Sequence, residues 1–285
     1  MGVPWRDHPS WSVVDRIAEA TDRDLAHLLL DADAEVLKAT RNAQLAAFGL
    51  SMLILDAARA AGLGQPAAAA GHSLGEYSAL VAVGALTLQD GARLVAARGE
   101  AMQAAADAEP GTMAAVLGAN ADAVADACAT TEGAWVANDN APGQIVIAGT
   151  AAGVAAAGES VKVLGAKRVM PLAVGGAFHS PLMAIAQAPL DAALARAVFH
   201  PVDIPVVANV DASAHIDGWV PLLSAQLCSP VRWRESLMAL AAMGVDSFLE
   251  LGPGAELSGM VKRTLEAAAR SNVATPDDLP KLPAS

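Results

Sequence analysis

The stretch Ala67-Ala68-Ala69-Ala70-Gly71-His72-Ser73-Leu74-Gly75-Glu76-Tyr77 decides how the rest of the chain is read. A short apolar run, the pattern Gly-x-Ser-x-Gly and a helix start follow one another. That order suits a serine held on a sharp strand-to-helix turn, with its hydroxyl standing clear of a sheet. The glycines let the backbone pass closely. The helix N-terminus leaves N–H groups free, so the Leu74 amide is placed to face a developing oxyanion. The same residues also fit a glycine-rich helix start with Ser73 as its cap.

On the N-terminal side, the first sixty residues read as helical. A long helix is expected over residues 46–61, with Leu50, Leu53, Ile54 and Ala57 on its apolar face, ended by Gly62, Gly64 and Pro66. On the C-terminal side, Thr87 and Asp90 have capping-box spacing and open a helix through Leu94, Val95, Arg98 and Met102. Stepping about 100° per residue puts Leu94, Arg98 and Met102 within one arc of about 80°. Arg98 therefore falls inside the apolar stripe of its own helix. A permanent charge there must be paired, snorkel to the surface, or face a cavity. One use of such a group is to hold a substrate carboxylate in a bidentate grip.

Further on, strand and helix signals alternate as βαββαβ between Gly111 and Val174, which is the ferredoxin-like order. Residues 111–174 are read as a small subdomain inserted in a larger α/β unit made of 1–110 and 175–270. The proline-rich segment 271–285 is expected to lack ordered structure. No repeat of 20–50 residues is present.

Composition narrows the function classes. The chain has 285 residues, 54% hydrophobic and 17% charged, which excludes a disordered polymer. Two distant cysteines, Cys128 and Cys228, form neither a disulfide scaffold nor a CxxC metal site. A net charge of −12 and only 4% aromatics demote nucleic-acid binding. The longest charge-free run, 169–190, is broken by three prolines and two glycines, so no membrane span is expected there. The N-terminus has no apolar leader, and a cytoplasmic location is expected.

A serine nucleophile needs a base, and the chain offers six histidines. His8 and His27 lie in polar helical sequence and are expected to be exposed. His72 adjoins Ser73, where neighbouring side chains diverge. His179 sits in Gly175-Gly176-Ala177-Phe178-His179-Ser180-Pro181, a loop braced by glycines and proline. By itself it suits either a structural histidine or a base.

Several ordered motifs together resemble the malonyl-CoA:acyl-carrier-protein transacylases and the acyltransferase domains of polyketide synthases. They are Gly71 to Ser78; Arg98-Gly99, 25 residues after Ser73; Asn138 with Pro142 to Gly149; Ala177 to Ser180; Gln226 with Ser229 to Trp233; and Glu250 to Gly254. The resemblance covers nearly the whole chain. It implies an α/β-hydrolase-like large subdomain carrying the ferredoxin-like small one, with the site in the cleft between them. Ser73 and His179 would be catalytic, the Leu74 amide would serve the oxyanion hole, and Gln226 would orient His179. Arg98, Gln44, Phe178 and His72 would bind substrate, and Phe178 beside the histidine matches the malonyl-selective form. Leu45 stands where the family usually has proline.

The family normally opens with a strand and a Pro-Gly-Gln-Gly-Ser-Gln-like loop, whereas this chain starts where that loop would end. The resemblance therefore implies a sheet short of one strand, an unpaired edge, and an oxyanion donor fewer, at a cost of roughly 10²–10³ in rate. The expected activity is ping-pong transfer of malonyl from malonyl-CoA to an acyl carrier protein by a monomer. Coenzyme A and phosphopantetheine act as substrates, with no cofactor and no metal. Lys162, Lys167, Arg168, Arg232 and Arg234 are candidates for docking an acidic carrier. A serine hydrolase of carrier-bound acyl groups and a non-catalytic interaction protein remain open as alternatives.

Overall fold

The computed structural model describes residues 1–282. The chain begins with helices α1 (Ser12–Thr21), α2 (Leu25–Leu30), α3 (Ala34–Lys38) and α4 (Thr40–Ala60). β1 (Ala69–Ala70), α5 (Gly75–Val83) and α6 (Leu88–Ala108) follow. Next come β2 (Thr112–Leu117), α7 (Ala121–Ala129), β3 (Ala134–Ala141), β4 (Gln144–Gly149), α8 (Ala151–Val163) and β5 (Arg168–Pro171). The chain continues through α9 (Gln187–Leu194), β6 (Val206–Val207), β7 (Ala214–His215), α10 (Trp219–Gln226) and α11 (Trp233–Ala242). It closes with β8 (Ser247–Leu251), α12 (Glu256–Thr264) and β9 (Ala269–Val273).

The middle segment forms an antiparallel sheet in the order β3-β4-β2-β5, with α7 and α8 packed on it. This is the ferredoxin-like arrangement that the βαββαβ order implied. Val116, Val124, Ile145, Ile147, Val154 and Val161 make its separate core. Successive residues of β2 and β4 point to opposite faces, and both faces are covered: one by those helices, the other, with Met113, Val146 and Ala148, against Ala177.

The larger unit is organised around α4 and α6, which pack against each other and against α1. Leu45, Phe48, Leu53, Leu94, Val95 and Met102 are among their buried residues. Strand pairing here is limited. β1 pairs parallel with β6, β6 antiparallel with β7, and β8 parallel with β9. The edge of β1 opposite β6 and the edge of β8 opposite β9 have no strand partner among the described residues.

Three expectations change. α4 starts six residues earlier than the apolar pattern suggested, because its first N–H is satisfied from outside: Thr40 N donates to the Gln103 side chain of α6 at 2.9 Å. The segment from 271 is ordered as far as 282 rather than structureless. β9 completes a parallel pair, a capping box at Thr275 and Asp278 starts a final 3-10 turn, and Trp5 Nε1 donates to Ala274 O. Long-range contacts thus supply what the proline-rich composition hid, while residues 283–285 lie outside the described residues. Third, α4 is itself long and apolar enough to cross a membrane, a candidate that the charge-free-run test passed over. Two-thirds of its apolar window is buried inside the protein, as in a core helix.

Candidate active site

The chain turns sharply between β1 and α5, and Ser73 sits on the turn with φ 52°. A left-handed serine costs free energy and persists only where neighbours hold it. Here the holder is Asn209, just past β6. Its Oδ1 accepts from Ser73 N at 2.6 Å, and its Nδ2 donates to Gly71 O at 2.8 Å. Gly71 is obligatory for packing, since a Cβ there would lie 1.9 Å from the Gly75 carbonyl. The α5 N-terminus closes with Gly75 N donating to His72 O and Glu76 N to Ser73 O. No hydrogen bond within the described residues engages the Leu74 amide, which leaves that donor available to a ligand oxygen.

His179, also left-handed at φ 56°, reaches the serine from the loop after β5. Ser73 Oγ and His179 Nε2 are 2.7 Å apart. His179 Nδ1 lies 2.9 Å from the Gln226 main-chain carbonyl at the end of α10. A carbonyl can only accept, so Nδ1 carries the proton and Nε2 is free to take one from the serine. Burial, helped by the nearby Arg98 charge, lowers the imidazole to about 3, so it rests neutral.

Arg98 is 1% exposed. Its Nη2 donates to Ser73 Oγ and to Gln226 Oε1, both at 3.0 Å, and its Nη1 donates to Gln44 Oε1 at 2.6 Å. Its Nε has no partner. Of the three options left by the helical pattern, the exposed one is ruled out. The guanidinium is buried against the serine among neutral acceptors and makes no ion pair among the described residues.

Gln226 therefore meets His179 through its backbone. Its side chain ties Arg98 to the elbow, with Nε2 donating to Ser73 O and to Glu76 Oε2, both at 2.9 Å. Gln44, from α4, also donates to Met102 Sδ. Phe178 packs against the core beside Gly176. His72 turns away from Ser73. Its Nε2 lies 2.8 Å from Asn140 Oδ1 on β3, and its ring meets Trp233 edge-on.

Together these contacts join a serine hydroxyl, a neutral imidazole and a buried cation in one hydrogen-bonded group, beside an unengaged backbone N–H. A family model described as "Acyl transferase domain" matches residues 8–281. The chain belongs to this acyl transferase family. The malonyl CoA-acyl carrier protein transacylase of Bacillus subtilis is 43% identical over 93% of the chain and 85% of that protein. The transacylase of the same name from Escherichia coli strain K12 is 40% identical over 89% and 84%. Among solved structures, the malonyl-CoA:acyl carrier protein transacylase of Xanthomonas oryzae superposes with a TM-score of 0.92 at 40% identity, covering 97% of this chain and 90% of that one. A malonyl-transacylase solved with a type II polyketide synthase acyl-carrier protein gives 0.91 at 34%, over 95% and 90%. The mixed α/β fold with its ferredoxin-like insert is that of these acyltransferases.

Asn209 and Glu76 escaped the motif reading. Asn209 follows the short strand at Val206, and the C-terminal end of a parallel strand is where ligand and site residues gather. Glu76 lay within the quoted motif, on the helix face shared with buried Leu80. Among the described residues, no group of three His, Cys, Asp or Glu side chains is arranged to hold a metal ion.

Proposed function

We propose that this acyltransferase moves a malonyl group from coenzyme A to the phosphopantetheine thiol of an acyl carrier protein, through a malonyl-Ser73 ester. The observation that carries the reading is the Arg98 guanidinium held 3.0 Å from Ser73 Oγ, next to a neutral His179. A serine hydrolase has no evident need of a buried cation at its nucleophile, whereas a carboxylated acyl group does.

The steps follow from the geometry. His179 Nε2 takes the Ser73 proton as Oγ attacks the thioester carbon. The oxyanion forms beside the Leu74 amide. Collapse expels coenzyme A, whose sulfur takes the proton back from the imidazolium. The low imidazole pKa makes that cation a willing donor. The carrier thiol then gives its proton to His179, attacks the ester, and Ser73 Oγ leaves with that same proton. Arg98 holds the malonyl carboxylate throughout, exchanging its contacts to Gln44 and Gln226 for the ligand. Phe178 limits room beside the acyl C2, and His72 lines the approach. The names of the relatives support both the donor and the acceptor.

Intact-protein mass spectrometry after brief exposure to malonyl-CoA tests this. Wild type should gain one malonyl group, Ser73→Ala none, and added carrier protein should discharge the adduct. Discharge at the same rate without carrier would favour a hydrolase. No adduct on the folded protein would refute the mechanism.

A further inference from the structure

Glu76 has no exposed surface, and it lies two hydrogen bonds from the Arg98 guanidinium. Its Oε2 accepts from Asn209 N at 3.0 Å and from Gln226 Nε2 at 2.9 Å. The other end of that amide, Gln226 Oε1, accepts from Arg98 Nη2. One side-chain amide thus stands between a buried cation and a buried acid, and links them without an ion pair. Glu76 Oε1 has no partner.

A guanidinium buried among neutral acceptors needs a counter-charge nearby. The groups acting on Glu76 are Arg98 from α6, which favours its charged form, and Asp211 beyond β6, which opposes it. Tyr77 beside it on α5 is held neutral by burial, its phenol well above the ordinary range. Asn209 and Gln226 donate N–H groups, while burial outweighs them all and raises the Glu76 carboxyl to about 7. Glu76 is therefore poised between its two forms near neutral pH.

Resting on the malonyl-transfer reading above, we propose that Glu76 is the internal counter-ion of Arg98 and gives up that role to the substrate, taking one proton from solvent as the malonyl carboxylate settles on the guanidinium. The proton goes to the unpartnered Oε1, and no bond of the substrate changes. Two carboxylates serving one buried cation repel, so one of them must be neutralised. The substrate acid, with its low intrinsic pKa, keeps its charge. Glu76 is thus a positioning residue, acting through Gln226 and Arg98. It balances the Arg98 charge while no carboxylated acyl group is bound and yields that balance to the substrate when one is.

Ser73→Ala protein, which cannot be acylated, is titrated calorimetrically with malonyl-CoA in buffers of different ionisation enthalpy. Uptake of about one proton is expected near pH 8, falling toward zero near pH 6, with affinity weakening up to about tenfold per pH unit above 7. The Ser73→Ala/Glu76→Gln protein should bind without uptake and without that pH dependence. Binding with no uptake near pH 8 would overturn the proposal. So would unchanged uptake in the Gln variant, which would make His179 the acceptor. Infrared difference spectra of the Ser73→Ala protein give a second reading that does not depend on the Gln variant folding. A protonated-carboxyl band should appear with malonyl-CoA, and its absence would overturn the proposal. If malonyl-CoA binds no better than acetyl-CoA at any pH, the carboxylate clamp itself fails, and the counter-ion role with it.

Discussion

Arg98 is a charge placed where its helix needs an apolar residue, and it sits there with one face on Ser73 Oγ. Truncation should separate a clamp on the malonyl carboxylate from a purely structural role. Arg98→Ala is expected to lower kcat/KM for malonyl transfer by about 10²-fold, the worth of a lost charge-assisted pair, while sparing or raising acetyl transfer. Parallel rates with the two thioesters would check this, and an equal loss in both would show a structural role only. His179 makes a prediction about acid stability. The unfolded imidazole takes a proton near 6.5, but the folded one resists until about 3. The stability it contributes is therefore present above 6.5 and lost as pH falls toward 3, at up to about 1.4 kcal/mol per pH unit. Glu76 has the opposite sign: its contribution is present below the unfolded carboxylate pKa and lost as pH rises through about 7. Urea unfolding across this range should show a shallower acid limb for His179→Asn, a residue that tolerates the left-handed backbone. Helical phase alone marked Arg98 as a charge inside an apolar stripe, and the glycines marked Ser73 as a turn residue, but neither signal fixed what each side chain contacts. Asn209 was not legible, because its function is to bond two backbone groups more than a hundred residues earlier in the chain.

At the scale of the element, the two glycines of the elbow are not equivalent. A methyl group at Gly71 would collide with the Gly75 carbonyl at 1.9 Å, whereas one at Gly75 would meet nothing within 4 Å. Gly71→Ala should cost more than about 3 kcal/mol or prevent folding, while Gly75→Ala should change stability by less than about 1 kcal/mol. Chemical denaturation of both variants decides the point, and similar losses would contradict the turn geometry. The pattern Gly-x-Ser-x-Gly treats both positions alike, and only the backbone crossing shows which one matters. Long elements with a strong period were readable: α6 opens at Thr87, whose Oγ1 accepts from Asp90 N as its spacing implied. Two-residue strands such as β7 carry too few residues to show a period.

At the scale of the whole molecule, the ferredoxin-like unit is stitched to the elbow. Asn140 of β3 meets His72, Asn138 bridges to Val231, and Arg234 of α11 pairs with Asp139 at 2.7 Å. Arg232 pairs with Glu235, and Lys162 with Glu159. Three of the five cations read as docking candidates are thus matched by carboxylates. Lys167 and Arg168, at the start of β5, are exposed and join no ion pair among the described residues. Reversing both to Glu should slow the proposed transfer to a carrier protein by about tenfold and leave acylation by malonyl-CoA within about twofold. Separate half-reaction rates test this, and equal losses would remove the surface from consideration.

Helical period, capping spacing and the order of strand and helix signals are local properties, and they determined the βαββαβ insert, the turn at Ser73 and the placing of Arg98 in an apolar stripe, whereas a role for His179 came only from the family resemblance. The tertiary structure decided what each polar group is bonded to. Which nitrogen of His179 holds its proton depends on the carbonyl of Gln226, 47 residues away. The counter-charge of Arg98 reaches it through an amide on a third element. Burial supplies the reason. It turns hydrogen bonds that water would make interchangeable into specific obligations, and a linear sequence does not record which groups are buried together.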